Sequence, residues 1–138
     1  MVNIINSVDL IIVNDKNQVL LAKRTEEEMG FKNTWSIPGG GCENNETFEE
    51  ALHREIQEEL GCEIKWRKYF KSFIMRFREE SIVRAVYFYG KIEGDIKLNH
   101  ELSEYKWFDL NDEILSLDFA FNQKDVIKDF MVFYKNRE

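Results

Sequence analysis

Runs of β-branched and aliphatic residues, separated by short polar turns, indicate two β-hairpins in this chain. The first hairpin pairs residues 4–13 with residues 18–24 across the sequence Asn-Asp-Lys-Asn, whose Asn and Asp residues favour a turn. The second pairs residues 66–77 with residues 81–92 and is rich in aromatic residues. A further short strand is predicted at residues 105–110. These segments together predict a β-sheet.

One segment in the middle of the chain has the pattern of an amphipathic helix. Residues 47–60 have no Gly or Pro in their interior, and Thr47 with Glu50 forms a capping-box pattern that predicts the helix start. Gly61 is the predicted stop. At about 100° per residue, four apolar side chains share one stripe that is expected to pack on the sheet: Phe48, Leu52, Ile56 and Leu60.

Two more elements complete an alternation of strands and helices along the chain. A short strand is predicted within residues 34–41, ending at Pro38 and followed by a turn, and a last helix is predicted from about Asn122 to Tyr134. The chain has 138 residues, 43% of them hydrophobic, without repeats or a linker-like segment. We therefore expect one domain over residues 1–138, of the α/β (α+β) class, with a mixed sheet covered on both faces.

The charge balance limits the partners of this domain. Nineteen Lys and Arg residues stand against 26 Asp and Glu, which gives a formal charge of -7. Such a field repels nucleic acid, so no nucleic-acid partner is expected. If the substrate is itself anionic, a divalent cation is one means of attracting it.

Cysteine usage and the N-terminal sequence bear on the compartment. Cys42 and Cys62 do not form a C-x-x-C pair, and a chain of this size can build a core without disulfides, which favours reduced thiols and a cytoplasmic location. The apolar run near the N-terminus is interrupted at Asp9 and Asn14 and follows no basic leader. Neither a signal peptide nor a membrane association is expected.

Three acids on the central helix are not explained by solvation alone. On a helical wheel Glu59 falls inside the apolar stripe, Glu55 lies about 20° outside its edge, and Glu58 about 80° outside. A carboxylate directed toward a core without a partner is strongly disfavoured, and like charges at this spacing destabilise a helix. A hard cation such as Mg²⁺ or Mn²⁺ resolves both problems, whereas an ordinary acidic surface helix remains the alternative.

The region around this helix resembles a known family motif. The pattern G-x5-E-x7-R-E-U-x-E-E-x-G-U is similar to the box of the Nudix hydrolase superfamily, and here it spans residues 40–62. Eight of its nine defined positions agree, and the ninth holds Cys62 in place of an aliphatic residue. The agreement falls at Gly40, Glu46, Arg54, Glu55, Ile56, Glu58, Glu59 and Gly61. The resemblance implies a small MutT-like protein with an α/β/α sandwich fold and a loop–helix–loop box.

The resemblance also implies roles for the box residues. Divalent metal, Mg²⁺ or Mn²⁺, would be bound by Glu55, Glu58 and Glu59 with a backbone carbonyl of Gly39 or Gly40. A salt bridge between Glu46 and Arg54 would orient the loop against the helix. On the wheel Arg54 points about 100° away from Glu55, so we expect it to stay apart from the three acids.

The family hydrolyses a nucleoside diphosphate linked to another group, by attack of water on phosphorus. Metal neutralises the phosphate oxygens, and a general base removes the proton of the water. Glu55 is the first candidate for that base because it lies at the metal edge of the helix. Glu101 is the second candidate, as base or extra ligand, and Glu104 nearby is a weaker one.

Two residues outside the box are candidate substrate contacts by the same resemblance. Arg24, at the end of the second strand, resembles a residue that holds substrate phosphates, although surface arginines are common at strand ends. Asn122, at the start of the last helix, resembles an Asn that reads a purine edge, and its other interpretation is a helix N-cap. Arg76, Arg78 and Arg84 are further phosphate candidates, and Phe31, Trp35 and Phe121 are candidate walls of a base pocket.

These features favour hydrolysis of a nucleoside triphosphate, including modified or oxidised ones, to a monophosphate and pyrophosphate. Subgroup markers that follow the box in hydrolases of ADP-ribose or of dinucleoside polyphosphates are absent from residues 77–81. Two alternatives stay open: another nucleoside diphosphate derivative as substrate, or a non-catalytic nucleotide-sensing module. Relatives are often dimers, so a homodimer is a further expectation.

Overall fold

Seven β-strands of the described residues form one mixed sheet at the centre of the molecule. The structure is a computed structural model, and it describes residues 2–25 and 31–137. The strands are β1 (Asn3–Val13), β2 (Gln18–Arg24), β3 (Trp35–Ser36), β4 (Gly39–Gly41), β5 (Glu63–Phe77), β6 (Ser81–Glu93) and β7 (Leu102–Asp109). The helices are α1 (Phe48–Leu60), a 3₁₀ helix (Asp112–Ser116) and α2 (Gln123–Lys135).

Strand β1 lies in the middle of the sheet and connects the two predicted hairpins. It runs parallel to β6 from Asn3 to Ile12, and it pairs antiparallel with β2 and β4. Strand β2 pairs with β3 and β7, and β5 pairs with β6 along most of its length. Both predicted hairpins are therefore present, and the mixed sheet is confirmed.

Each face of the sheet packs against one helix. On one face the apolar stripe of α1, which includes Leu52 and Ile56, packs with β1 residues such as Leu10. On the other face Ile127 and Phe130 of α2 join a second cluster. The predicted sandwich of a sheet between two helices is confirmed. Within the residues described here, neither helix combines the length and apolarity needed to cross a membrane.

The boundaries of α1 follow from local hydrogen bonds. Thr47 accepts from the backbone N–H of Glu50 at 3.0 Å, and Glu50 accepts from the backbone N–H of Thr47 at 2.9 Å. Gly61 ends the helix with φ +67°, in the left-handed region where glycine carries no steric cost. The caps set the limits of α1, and its apolar stripe sets which side faces the sheet and therefore which glutamates point inward.

The segment after Pro38 differs from the prediction. We predicted a turn, but Gly39–Gly41 form the short strand β4, antiparallel to β1 at Ser7, Val8 and Asp9. Gly39 lacks a side chain, so this strand can lie close to β1 at that position. A Cβ on Gly39 would come within 2.2 Å of Asp9 Oδ1 and of the Val8 carbonyl oxygen. The prediction of a turn was wrong because the pairing partner is distant in sequence.

Candidate active site

A cavity of about 620 Å³ lies between the glycine strand β4, helix α1 and the start of α2. Its floor is the face of β1 and β6 that carries Asp9 and Tyr87 at one end and Ile5 and Val83 at the other. The acids that line it are Asp9, Glu55, Glu59 and Glu101. Its other lining residues include Arg24, Arg78, Phe73, Met75, Phe77, Phe121 and Asn122. The cavity is therefore acidic near the box and apolar with two arginines elsewhere.

Glu59 is the most buried acid of the box. Its side chain is only 5% exposed, as its position inside the apolar stripe predicted. The backbone N–H of Gly39 donates to Glu59 Oε1 at 2.9 Å. Burial raises the pKa of Glu59 well above its usual range, and the neighbouring charges of Glu55 and Asp9 raise it further. This carboxylate is held at one oxygen and faces two other acids.

Glu55 lies at the cavity edge of α1, one turn before Glu59. Burial raises the pKa of Glu55, and a hydrogen bond from Arg54 partly opposes that effect. Gly40 passes directly beside this carboxylate, because a Cβ built on Gly40 would lie 2.5 Å from its Oε2. The absence of a side chain at position 40 is what allows the carboxylate to sit there.

Arg54 joins the box loop to the helix. Its Nε donates to Glu46 Oε2 at 2.7 Å and its Nη2 to Glu46 Oε1 at 2.9 Å, so the structure contains the salt bridge that the resemblance implies. The expectation that Arg54 stays apart from the acids is wrong. Its Nη1 donates to Glu55 Oε1 at 2.9 Å and lies 3.3 Å from Glu58 Oε2. A helical wheel fixes the direction of Cβ, whereas the long arginine side chain bends back across the helix surface.

The Glu46–Arg54 bond should make the stability of the protein depend on pH. The hydrogen bond from Arg54 lowers the pKa of Glu46 from 4.5 to about 2. A depressed folded-state pKa stabilises the fold above the unfolded value of 4.5, and this stabilisation is lost as pH falls toward 2. We expect Glu46→Gln to lower the unfolding temperature by a few degrees at pH 7 and by progressively less below pH 4.5, measured by thermal unfolding across pH.

Glu43→Gln is the matched control for this measurement. Glu43 Oε1 lies 3.7 Å from Arg54 Nη1, and its side chain is 68% exposed. The Glu43→Gln variant should therefore have nearly the same unfolding temperature as wild type at every pH. An equal loss at pH 7 and pH 3 in the Glu46 variant would contradict the role assigned to the charge.

The remaining predicted acids occupy different environments. Glu58 is half exposed, with 52% of its side chain accessible, and is not among the described residues that line the cavity. Its role as a metal ligand stays a prediction. Glu101 lines the cavity, and its charge contributes to the raised pKa values of Glu55 and Glu59. Glu104 is exposed on β7, opposite Lys23 in the pairing of β7 with β2, and is not among the described residues of the cavity wall.

Arg24 and Asn122 both line the cavity, although their roles stay predictions. The buried Nε of Arg24 has no hydrogen-bond partner among the described residues, and its guanidinium lies 5.7 Å from the centre of the Phe121 ring. Asn122 occupies the N-cap position of α2, but its side chain makes no capping hydrogen bond. The N-cap interpretation of the side chain is therefore wrong, and the side chain is available to the cavity.

The sequence reasoning missed several cavity residues, among them the buried polar residues Asp9, Tyr87 and Gln123. Asp9 is only 7% exposed. Burial raises the pKa of Asp9 well above its usual range, and the negative charge of Glu55 raises it further. An acid inside a strand of aliphatic residues is a signal that could have identified it, since unpaired buried acids are costly. Tyr87 and Gln123 carried no comparable signal, because each resembles an ordinary strand or helix residue.

The residues of the acidic end fit a divalent cation by their chemistry. In the part of the chain that the structure describes, no three His, Cys, Asp or Glu side chains are already arranged as a ligand group. Glu59 nevertheless has a buried carboxylate with one oxygen held by Gly39, and the missing side chain of Gly40 gives the Glu55 carboxylate room at the cavity edge. Carboxylate and backbone oxygens are the ligands that Mg²⁺ and Mn²⁺ prefer.

A sheet between two helices, with box glutamates at a cavity, defines a Nudix-type protein. The family model described as the NUDIX domain matches residues 4–130, and the chain belongs to this family. It is an enzyme of the Nudix hydrolase type.

Several known proteins are similar to this chain. An ADP-ribose pyrophosphatase from Methanocaldococcus jannaschii is 35% identical over 127 residues, which cover 91% of this chain and 72% of the relative. An RNA pyrophosphohydrolase from Pelagibacter ubique is 31% identical, and the match covers 88% of this chain and 87% of the relative. The nucleoside triphosphatase NudI of Escherichia coli is 28% identical, and the match covers 70% of this chain and 76% of the relative. The crystal structure of a MutT protein from Methanosarcina mazei superposes with TM-score 0.84 at 27% identity, covering 99% and 98%.

Proposed function

We propose that this Nudix hydrolase cleaves nucleoside triphosphates, including modified or oxidised ones, to nucleoside monophosphate and pyrophosphate, and that it requires Mg²⁺ or Mn²⁺. One observation carries the proposal: the box acids Glu55 and Glu59 line the same cavity as Arg24 and an apolar, aromatic wall. The acidic end suits a divalent metal ion, which would in turn bind the phosphates. The apolar end suits a nucleotide base. The volume of about 620 Å³ is within the range of cavities that hold small ligands.

Glu55, Glu58 and Glu59, with the carbonyl of Gly39, are the proposed metal ligands. A bound Mg²⁺ or Mn²⁺ supplies neutralisation of phosphate oxygens and acidification of the attacking water. Glu59 is suited to this role because its carboxylate is buried and accepts one hydrogen bond, from the backbone N–H of Gly39. Glu58 would have to turn away from Arg54 to join the other two acids.

Glu55 is the proposed general base, and Glu101 is the alternative. Arg54 occupies Glu55 Oε1, which leaves Oε2, beside Gly40, to accept a proton. Burial raises the pKa of Glu55 toward neutral pH, where a base is most effective. Glu101 lines the same cavity but is exposed. In either case the proton moves from water to a carboxylate that the protein holds at the acidic end.

The aromatic wall and Arg24 are the proposed substrate contacts. Phe121 lies 4.3 Å from Phe31, measured between ring centroids, and this pair offers a surface on which a base could stack. Arg24 is the proposed phosphate contact, because it lies against Phe121 and its Nε has no hydrogen-bond partner in the part of the chain that the structure describes. Asn122, which carries no capping bond, is proposed to read the edge of the base.

The test is a substrate panel with product analysis. Purified protein with Mg²⁺ is incubated with ordinary, oxidised and methylated nucleoside triphosphates, with ADP-ribose, and with 5′-triphosphorylated RNA. We expect fastest turnover for a nucleoside triphosphate, with pyrophosphate and monophosphate as products. Preferential cleavage of ADP-ribose to AMP and a sugar phosphate would replace the proposal with the second candidate, which the 35% identical relative favours.

Replacing Arg24 should weaken substrate binding more than it slows the chemical step. We expect Arg24→Ala to raise KM for the best substrate by about tenfold to a hundredfold, because a hydrogen bond to a charged group is lost. Arg24→Lys should recover part of this loss, since lysine restores the charge but not the fork geometry.

Arg84→Ala is the control for this variant, because Arg84 is exposed on β6 and is not among the described residues of the cavity wall. Steady-state kinetics of the three variants give KM and kcat separately. A KM for Arg24→Ala that matches the Arg84 control would remove Arg24 from the binding site.

Other expectations accompany this proposal. Cys42 and Cys62 are free thiols in the structure, which is compatible with the proposed cytoplasmic location. The net charge of -7 favours a small nucleotide over nucleic acid as the partner. Homodimer formation stays a prediction that size-exclusion chromatography with light scattering would decide.

A further inference from the structure

The first residue of α2, Gln123, is a buried amide with both ends bonded. Only 3% of it is exposed. Its Oε1 accepts from the backbone N–H of Ile37 at 2.8 Å, and its Nε2 donates to the Tyr87 hydroxyl at 3.4 Å. It therefore links the start of α2 to the segment before β4 and to β6.

The orientation of this amide is determined by its partners. A backbone N–H such as that of Ile37 can only donate, so the oxygen of Gln123 must face it. The nitrogen of Gln123 then faces Tyr87 and donates to the hydroxyl oxygen. The hydroxyl proton of Tyr87 is consequently free to point elsewhere.

Asp9 lies next to Tyr87 on the neighbouring strand. The two residues are partners in the parallel pairing of β1 and β6 and both line the cavity, which assigns Asp9 as the acceptor of a hydrogen bond from the Tyr87 hydroxyl. This interaction lowers the pKa of Asp9, against the larger effect of burial. Tyr87 is only 2% exposed and Asp9 only 7% exposed, so water has little access to this bond. A bond from a donor whose direction is fixed holds the carboxylate in one position.

Asp9 in turn lies against the glycine strand. It pairs with Gly39 in the sheet, and its Oδ1 occupies the space that a Gly39 side chain would need. The backbone N–H of Gly39 donates to Glu59 at 2.9 Å. Gly39 is thus held from one side by Asp9 and bonded on the other side to the buried acid of the box.

We propose that Gln123 and Tyr87 form a positioning relay that directs a hydrogen bond onto Asp9 and thereby fixes Gly39 and Glu59 for cation binding. The relay also joins the two ends of the cavity, because Gln123 is adjacent to Asn122. None of these three residues belongs to the box, and two of them lie on β6 and α2, far away in sequence. The inference rests on the carboxylate site of the proposed function but not on the identity of the nucleotide.

Two variants interrupt the relay without changing the size of a side chain appreciably. Tyr87→Phe removes the hydroxyl. Gln123→Glu keeps an acceptor for the N–H of Ile37 but, when ionised, cannot donate to Tyr87, so Tyr87 turns its proton toward position 123. Asp9 loses its donor in both cases. Tyr89→Phe is the matched control, since Tyr89 lies on the same face of β6, packs on α2 and is not among the described cavity residues.

The measurements are Mn²⁺ affinity, by electron paramagnetic resonance, and amide hydrogen exchange at Gly39 and Ile37, by NMR. For both relay variants we expect about tenfold weaker Mn²⁺ binding and about tenfold faster exchange at Gly39. Exchange at Ile37 should stay unchanged in Tyr87→Phe, because its partner Gln123 is still present. The control should match wild type in all three quantities.

Gly39 exchange and Mn²⁺ affinity equal to wild type in Tyr87→Phe would overturn the relay. The same result in Gln123→Glu would do so independently. If both quantities change as expected while no nucleoside triphosphate is hydrolysed by wild type, the relay stands and the proposed substrate is wrong. If wild type hydrolyses nucleoside triphosphates but Gly39 exchange is unchanged in both relay variants, the proposed substrate stands and the relay is wrong.

Discussion

Replacing Glu59 by glutamine is expected to lower kcat by about 10³-fold and to raise the unfolding temperature of the metal-free protein. Activity falls because the proposed metal ligand loses its charge. Stability rises because the wild-type carboxylate is buried, and burial is the main reason that its pKa lies well above the usual range. A glutamine oxygen can still accept from Gly39, and a neutral amide removes the repulsion from Glu55 and Asp9.

The opposite signs of these two changes distinguish a metal ligand from a structural residue. A residue that only supports the fold would lose stability and activity together. We would measure kcat with the best nucleotide and thermal unfolding with EDTA or with Mg²⁺. Binding of Mg²⁺ should raise the unfolding temperature of wild type, by mass action on the folded state, and leave that of Glu59→Gln unchanged.

Glu49→Gln is the control, because it makes the same change on an exposed residue of the same helix. Its kcat should stay within about twofold of wild type, as for most surface substitutions. Should Glu59→Gln retain most of its activity, the acidic end of the cavity would not be the metal site. A lower unfolding temperature in EDTA would instead contradict the cost assigned to the buried charge.

The sequence predicted the parts of this site that depend on local periodicity. The burial of Glu59 follows from the helical wheel, and the ends of α1 follow from Thr47 and Gly61. Both are properties of one helix and its immediate neighbours, so a window of about fifteen residues contains the information. The structure agrees on each of these points.

The parts that escaped prediction depend on pairing between distant segments. Asp9 reaches the box only because β1 pairs with β4, and Tyr87 reaches Asp9 because β1 runs parallel to β6. No local pattern specifies which strands become neighbours. Arg54 was misplaced for a different reason, since the reach of a long side chain is not determined by the direction of its Cβ.

The electrostatics of the cavity connect the net charge to the proposed mechanism. Burial is the main cause of the raised pKa values of Asp9, Glu55 and Glu59. The charge of Glu55 raises the pKa of Asp9 and of Glu59 further, and Arg54 opposes the rise at Glu55. A triphosphate entering this end would add further negative charge to three acids. A divalent cation removes both repulsions at once, which is the physical reason to expect that substrate and metal bind together.

The second large effect is expected from a single methyl group, in Gly40→Ala. A Cβ at this position would lie 2.5 Å from the carboxylate carbon and Oε2 of Glu55, so the carboxylate must move aside. The backbone of Gly40 is not in the left-handed region, so alanine itself causes no conformational strain there. A displacement of about 1 Å of a catalytic group can cost 10²-fold in rate, and we expect a fall in kcat of about that size.

Gly41→Ala separates this effect from a general intolerance of the glycine strand. A Cβ at Gly41 would meet only the carbonyl oxygen of Asn6, at 3.9 Å, which is ordinary contact. We therefore expect kcat within about twofold of wild type and an unchanged unfolding temperature. Equal losses in the two variants would mean that the strand, and not Glu55, is the sensitive element. A large loss only in Gly40→Ala would place the Glu55 carboxylate in the reaction, because the three atoms nearest to that methyl group all belong to this carboxylate.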